Sequence, residues 1–230
     1  MKRIIIALCM LYLFGGNLSA KVVLPQILSD HAVLQQQTEV KLWGKAVPNT
    51  TVNVTPSWNN QTITAQSDNE GRWQVSIQTP AADFTPYSIE FSDGEITRIQ
   101  NILIGEVWFC SGQSNMEMPM SGFDRQPTQG TNDVIAKAKA STPIRIYNTD
   151  SKDGKWIRQF SKTPEEDCKG EWLENTPVNV SHTSATAYFF ARYLQEVLEV
   201  PVGIIISSLG GSKVEAWMSR EAITPFKSID

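Results

Sequence analysis

The sequence predicts a mixed fold: an all-β sandwich over residues 21–104, followed by the first part of a parallel α/β domain over 105–230. Three observations predict it. Short alternating apolar runs recur through the first region, with turn residues between them. The second region holds a compact apolar run, a long polar excursion, a helical stripe and another apolar run, the order of a parallel sheet covered on both faces. No helical stripe interrupts the first region, and no internal repeat joins the two.

The elements follow in order. Lys2 and Arg3 open the chain, and Ile4 to Phe14 is an apolar run too short to span a bilayer comfortably. Gly15, Gly16 and Ala20 then supply a breaker and a small residue. Residues 1–20 are therefore expected to be an export signal, with the mature chain starting at Lys21 in the periplasm, the extracellular space or an equivalent secretory compartment. No later segment is long and apolar enough to span, so no stable membrane insertion is expected. The formal net charge is −4, and loss of residues 1–20 leaves 18 basic against 24 acidic residues, a net of −6. A mildly acidic chain with no basic cluster excludes a nucleic-acid partner.

In the β region the runs are "EVKLWG", "TVNVT", "QTITAQ", "RWQVSIQ", "YSIEF" and "TRIQNILI", separated by "VPNT", "SDNEG" and "SDG". "SDNEG" lacks the alternating ligands of a calcium loop and reads as a hairpin turn. Alternation puts Trp43 and Trp73 in the sandwich core, leaving Trp58, beside Asn59 and Asn60, as the exposed candidate for stacking on a sugar. Asn49 and Asn53 begin Asn-x-Thr sequons, which matter only in a glycosylating host.

In the α/β region "GEVWFC" is a strand ending at Gly112. "NDVIAKAKA" reads as a helix and "IRIYN" as a short strand within a loop-rich excursion. Ala187, Phe190, Ala191, Leu194, Val197 and Leu198 recur at helical spacing, with Ser181 or Thr183 as cap and Pro201 as stop. "VGIIISSL" is a buried strand that runs into "GGS".

Ligands of open α/β sheets sit outside the carboxyl ends of the strands, where both glycine turns of this region fall. Ser114, in "SGQSN", is the candidate nucleophile. A serine needs a base and donors aimed at an oxyanion. The N–H groups of Ser114 and of Gly210 or Gly211 are the candidate donors. Glu215 and Trp217 follow the second turn and either border the pocket or pack beneath it. "GQSNM" departs from G-x-S-x-G because Met116 replaces the second glycine. His31 reads as structural. His182, just before the helix, reads as capping or solvent-facing. Neither stands near a cysteine pair, so no metal or cofactor is expected. Cys110, in an apolar run, is expected to be a buried free thiol, and Cys168 lies in a charged loop.

On these residues a resemblance is specific. "GEVWFCSGQSNMEMPM" resembles the nucleophile block of the sialate O-acetylesterase family, within the SGNH-like serine esterases, and "VPVGIIISSLGGSKVEAW" resembles its second block. "SATAYFFARYLQ" is similar to the family's connecting helix, and "LPQILSDHAVLQQ", "VKLWGKA" and "DNEGRW" to its N-terminal β-domain. The resemblance runs from about residue 22 to 230, in the family's order. It implies a secreted carboxylic ester hydrolase that removes O-acetyl groups from sugars, typically sialic acid. Ser114 matches the nucleophile, and Gly211 or Gly210 the oxyanion glycine. Gln113, Asn115 and Glu117 match the motif without an assigned role. The family's oxyanion Asn and Asp-x-x-His pair lie downstream of the second block, and no Asp-x-x-His occurs in these 230 residues. The expectation is thus an SGNH-like domain incomplete at its C-terminus, in a chain without its catalytic base. The alternatives are a non-catalytic carbohydrate-binding or scaffold protein, or an acetylesterase for another glycan such as xylan.

Overall fold

The computed structural model describes residues 21–149, 151–152, 155–156 and 165–226. The expected export signal lies outside them. The first strands are β1 (Val33–Gln35), β2 (Glu39–Lys45), β3 (Thr51–Pro56), β4 (Ile63–Gln66), β5 (Arg72–Gln78) and β6 (Asp83–Ser92). Most of them form where apolar residues, many β-branched or aromatic, alternate with polar ones, whereas β1 is the apolar pair Val33–Leu34 followed by Gln35. β2 and β5 make a two-stranded antiparallel ladder. β3 pairs with β4 and β6, and β6 pairs with β7 (Ile96–Gly112), all antiparallel. Leu42, Trp73 and Ile77 of the ladder meet Val52, Val54, Ile89, Phe91, Ile102 and Ile104 of the larger sheet in one core. Each such aliphatic side chain contributes roughly 1.5–3 kcal/mol by leaving water.

The expected boundary at 104/105 falls inside a continuous strand. β7 pairs with β6 up to Ile104, with β1 in parallel over Leu103–Gly105, and then with β12 (Val202–Ser208) in parallel over Glu106–Gly112. "TRIQNILI" and "GEVWFC" are thus one strand serving both halves. After it come α1 (Ser114–Glu117), α2 (Asn132–Lys137), β8 (Ile144–Asn148), the short ladder β9 (Ser151–Lys152) and β10 (Lys155–Trp156), β11 (Trp172–Glu174), α3 (Pro177–Ser181) and α4 (Ala185–Leu198). β12, a 3₁₀ turn at Val214–Trp217 and α5 (Arg220–Ile223) complete the described chain. The main sheet runs β11-β8-β12-β7-β6-β3-β4, with β8, β12 and the second half of β7 parallel.

One face of the parallel part presents Cys110, Ile144, Ile146, Val202, Ile204 and Ile206 to Ala187, Tyr188 and Ala191 of α4. The other packs Tyr147 and Leu103 against Ala32, Val33 and Trp172. Burial pushes the Tyr147 phenol far up, and its hydroxyl donates to the Cys168 carbonyl at 2.7 Å. The helix cap differs from expectation: Ser184 accepts the Ala187 N–H, while Ser181 lies in α3. The expected stripe is narrower too. Ala187 and Ala191 let α4 lie close to the sheet, Tyr188 is buried, and Phe190, Val197 and Leu198 remain exposed. The two cysteines among the described residues are free, Cys110 buried and Cys168 exposed.

Candidate active site

β7 and β12 end side by side, with Ser111 opposite Ser207 and Gly112 opposite Ser208. The Leu209 N–H donates to the Gly112 carbonyl at 3.0 Å, which ties the two strand ends together. Beyond them the chain turns twice. Gly112 takes φ +144°, a conformation that side chains rarely adopt, and Ser114 then opens α1. The second turn is Gly210–Gly211. Its position is set by Glu117, whose buried carboxylate accepts the Gly210 N–H at 2.6 Å. A Cβ on Gly210 would lie 2.2 Å from that carboxylate oxygen and 3.7 Å from Ser114 Oγ, so glycine alone permits this approach.

Ser114 is exposed, and its hydroxyl donates to Gln113 Oε1 at 2.9 Å. The Asn115 carbonyl accepts from Thr186 Oγ1 at 3.0 Å, and the Ala185 N–H donates to the Met118 carbonyl at 2.8 Å. These bonds dock α1 on the start of α4. The Ser114 N–H and the Gly211 N–H make no hydrogen bond to the described residues, whereas the Gly210 N–H is taken by Glu117. Of the two glycines, Gly211, in the left-handed region at φ +78°, is therefore the one with a donor to offer.

The expected residues fall into two groups. Gln113, Ser114, Glu117 and Gly210 are joined by hydrogen bonds and short contacts. Trp217 is hung on the second turn: its Nε1 donates to Ser212 Oγ at 2.9 Å, and Ser212 Oγ donates to the Leu209 carbonyl at 2.7 Å. Glu215 sits in the same 3₁₀ turn. The histidines contribute nothing to Ser114 by hydrogen bonding. His182 is an exposed C-cap of α3, and His31 Nδ1 lies 2.8 Å from Asn101 Nδ2 and 3.7 Å from Glu174 Oε1. The sequence assigns no role to two residues of the site. Glu117 matches the motif, and an acid inside the apolar "NMEMPM" is the signal that it has a buried partner. Thr186 carried no signal at all.

The expected tryptophan face is rearranged. In the β2–β5 register Trp73 stands opposite Gly44 and Trp43 opposite Gln74, so the two rings lie on opposite faces. Trp73 is buried, while Trp43 is 40% exposed. Trp58 packs edge-on against Tyr87 at 5.7 Å and donates to the Gln78 carbonyl at 3.2 Å.

A serine, and two backbone N–H groups without a partner among the described residues, thus stand at the carboxyl ends of parallel strands, an arrangement suited to acyl transfer. The chain is similar to a carbohydrate acetylesterase from Xanthomonas citri, whose solved structure it matches with a TM-score of 0.77 at 30% identity, covering 88% of this chain and 43% of that one. The chain is also similar to the sialate O-acetylesterases. It is 28% identical over 211 residues to the sialate O-acetylesterase of Mus musculus, covering 85% of this chain and 37% of that protein. With the sialate O-acetylesterase of Homo sapiens it shares 28% identity over 214 residues, 86% of this chain and 38% of that one. The chain thus spans about two fifths of the length of these relatives. No protein-family model matches it.

Proposed function

We propose that this chain carries the nucleophile half of an exported serine esterase that removes O-acetyl groups from sugars, in a β-sandwich followed by an SGNH-like α/β domain. Ser114 Oγ attacks the acetyl carbonyl as a base takes its proton. The bond between that carbon and the sugar oxygen then breaks, the sugar oxygen takes up the proton, and water hydrolyses the acetyl-serine to acetate and free serine. The Ser114 and Gly211 N–H groups hold the oxyanion, and Glu117 fixes the turn that presents Gly211. Sialic acid is the proposed sugar, on the strength of the mammalian relatives' names, and a hydroxyl-acetylated pyranose of another glycan, xylan included, meets the same chemistry. The carrying observation is that the Ser114 turn and the Gly210–Gly211 turn follow the joined ends of β7 and β12, with the Ser114 and Gly211 N–H groups making no hydrogen bond among the described residues.

A second reading, a non-catalytic glycan-binding protein on an esterase-related fold, is favoured by one observation: neither histidine hydrogen-bonds Ser114. The test measures release of acetate from a 9-O-acetylated sialoside and from acetylated xylan, by the 230-residue chain and by the chain extended with any in-frame downstream sequence. Ser114→Ala should abolish turnover by several orders of magnitude wherever turnover is found. If no group within these residues takes the Ser114 proton, the shorter chain should be slow. Wild-type turnover by Ser114→Ala would refute the assignment. No turnover by any form would favour the second reading.

A further inference from the structure

The β2–β5 ladder turns one face to the core and the other outward. The outward face carries two consecutive cross-strand pairs, Trp43 with Gln74 and Lys45 with Arg72. Over them lies the segment containing Glu166, whose carboxylate bridges Lys45 Nζ at 2.7 Å and Arg72 Nη2 at 3.2 Å. The two cations hold the Glu166 carboxyl below its usual range. Asp167 is pinned in turn by the Gln26 N–H at 3.0 Å. Between face and strap is a cavity of about 620 Å³. That volume suits a small ligand.

The lining has three properties. The Trp43 ring is a flat apolar surface open to solvent. Beside it the Gln74 amide makes no hydrogen bond within the described protein, and Gln66 uses only its oxygen, which accepts from Thr51. Every charged lining group is already engaged: Lys45 and Arg72 by Glu166, Asp68 by the Glu70 and Arg72 N–H groups, and Asp167 by Gln26. A site whose charges are mutually satisfied offers an ion little. An aromatic plane next to unpaired amides suits a ring with an apolar C–H face and hydroxyls at its rim. We infer that this cavity is a binding site for an uncharged pyranose residue of a glycan chain, with Trp43 as its stacking platform.

The site is separate from Ser114. Val23, which lines the cavity, bridges Lys45, and the adjoining Val22 carbonyl accepts from Thr97 at the start of β7. Ser114 follows the other end of that 17-residue strand. At about 3.3 Å per residue the two ends are at most roughly 50 Å apart, less the bend at Asn101, whose φ is +54°. The cavity therefore anchors a different part of a glycan, or a different glycan, from the one that meets the nucleophile.

The experiment applies the purified protein to an array of neutral and sialylated oligosaccharides and repeats the strongest contact by titration. At least one glycan with a neutral pyranose should be retained. Trp43→Ala should weaken it about tenfold or more, the loss of one stacking contact. Trp43→Phe should retain most of the binding, Gln74→Ala should weaken it, and Ser114→Ala should leave it unchanged. Because Trp43 is on the surface, circular dichroism should show all variants folded. No retained glycan, retention indifferent to Trp43→Ala, or retention lost in Ser114→Ala would each overturn the assignment. Esterase activity plays no part in the readout, so failure here is distinct from failure of the proposed reaction.

Discussion

Removing the Glu117 carboxylate should unfasten the glycine turn at the candidate active site. Its hydrogen bond from the Gly210 N–H, 2.6 Å long, joins residues 93 apart in sequence. Hydrogen bonds to charged groups contribute about 1.5–3 kcal/mol, and neutral ones about 0.5–1.5. Glu117→Gln keeps an acceptor oxygen and loses the charge, so it should cost about 1 kcal/mol. Glu117→Ala leaves the amide without its acceptor and removes a methylene, worth about 0.8 kcal/mol. Relief of a buried carboxylate offsets part of this, for a net cost of about 2 kcal/mol. In a chain of this size 1 kcal/mol moves the midpoint by about 2–4 °C, so Tm should fall by about 4–8 °C for Ala and about half that for Gln. Thermal denaturation by circular dichroism gives the midpoints, and amide exchange followed by NMR gives the local effect. The Gly210 N–H should exchange slowly in the wild type, somewhat faster in Gln and fastest in Ala. Equal exchange in all three, with Tm unchanged, would refute the fastening role.

Other expectations concern the rest of the molecule. Burial pushes the Cys110 thiol up, whereas Cys168 is exposed, so a thiol reagent at pH 8 should label Cys168 at once and Cys110 only after denaturant is added. Rapid labelling of both in the native protein would contradict the packing of β7. Beyond Val107, β7 has β12 on one side and no strand on the other among the described residues, and Trp108, Phe109 and Phe190 are exposed around that edge. Phe109→Lys should therefore reduce light scattering on concentration of the 230-residue chain, and unchanged scattering would place the association elsewhere. Protein recovered after export should begin at Lys21 by N-terminal sequencing, and an intact Met1 on membrane-bound material would overturn cleavage and localisation together.

Much of the fold was legible because the periodicities are strong. The runs at 39–44, 51–55 and 72–78 became β2, β3 and β5, and the apolar run at 202–208 became β12. Where the sequence misled, tertiary pairing decided. Nothing local says that "TRIQNILI" and "GEVWFC" are one strand, because the change of neighbour from β6 to β12 at Gly105 is a property of the partners. Trp43 and Trp73 each sit in an alternating run, and each run is consistent with either face inward. Only the register, Trp43 on Gln74 and Gly44 on Trp73, sends one ring to the core and the other to solvent. The α4 stripe is narrower than its periodicity for a similar reason, since a helix packed on one face of a sheet buries only the residues over the strands beneath it.

The candidate site was legible to a different depth. Ser114 and the pair Gly210–Gly211 could be singled out because glycine turns after apolar strands have few purposes. Which glycine offers its amide could not be read, because the answer depends on a carboxylate 93 residues away. The Glu117 carboxylate competes with an oxyanion for the same kind of donor. By occupying Gly210 it leaves Gly211, and it holds the intervening peptide still. A donor that serves the structure is unavailable for chemistry, and its neighbour is positioned by that sacrifice. The same division appears at Ser114. Its hydroxyl donates to Oε1 of Gln113, the residue before it. A base that took this proton would have to replace Gln113 Oε1 as its acceptor. In the proposed reaction Gln113 would thus hold the nucleophile and Glu117 would position the oxyanion donor, each through a hydrogen bond within the protein.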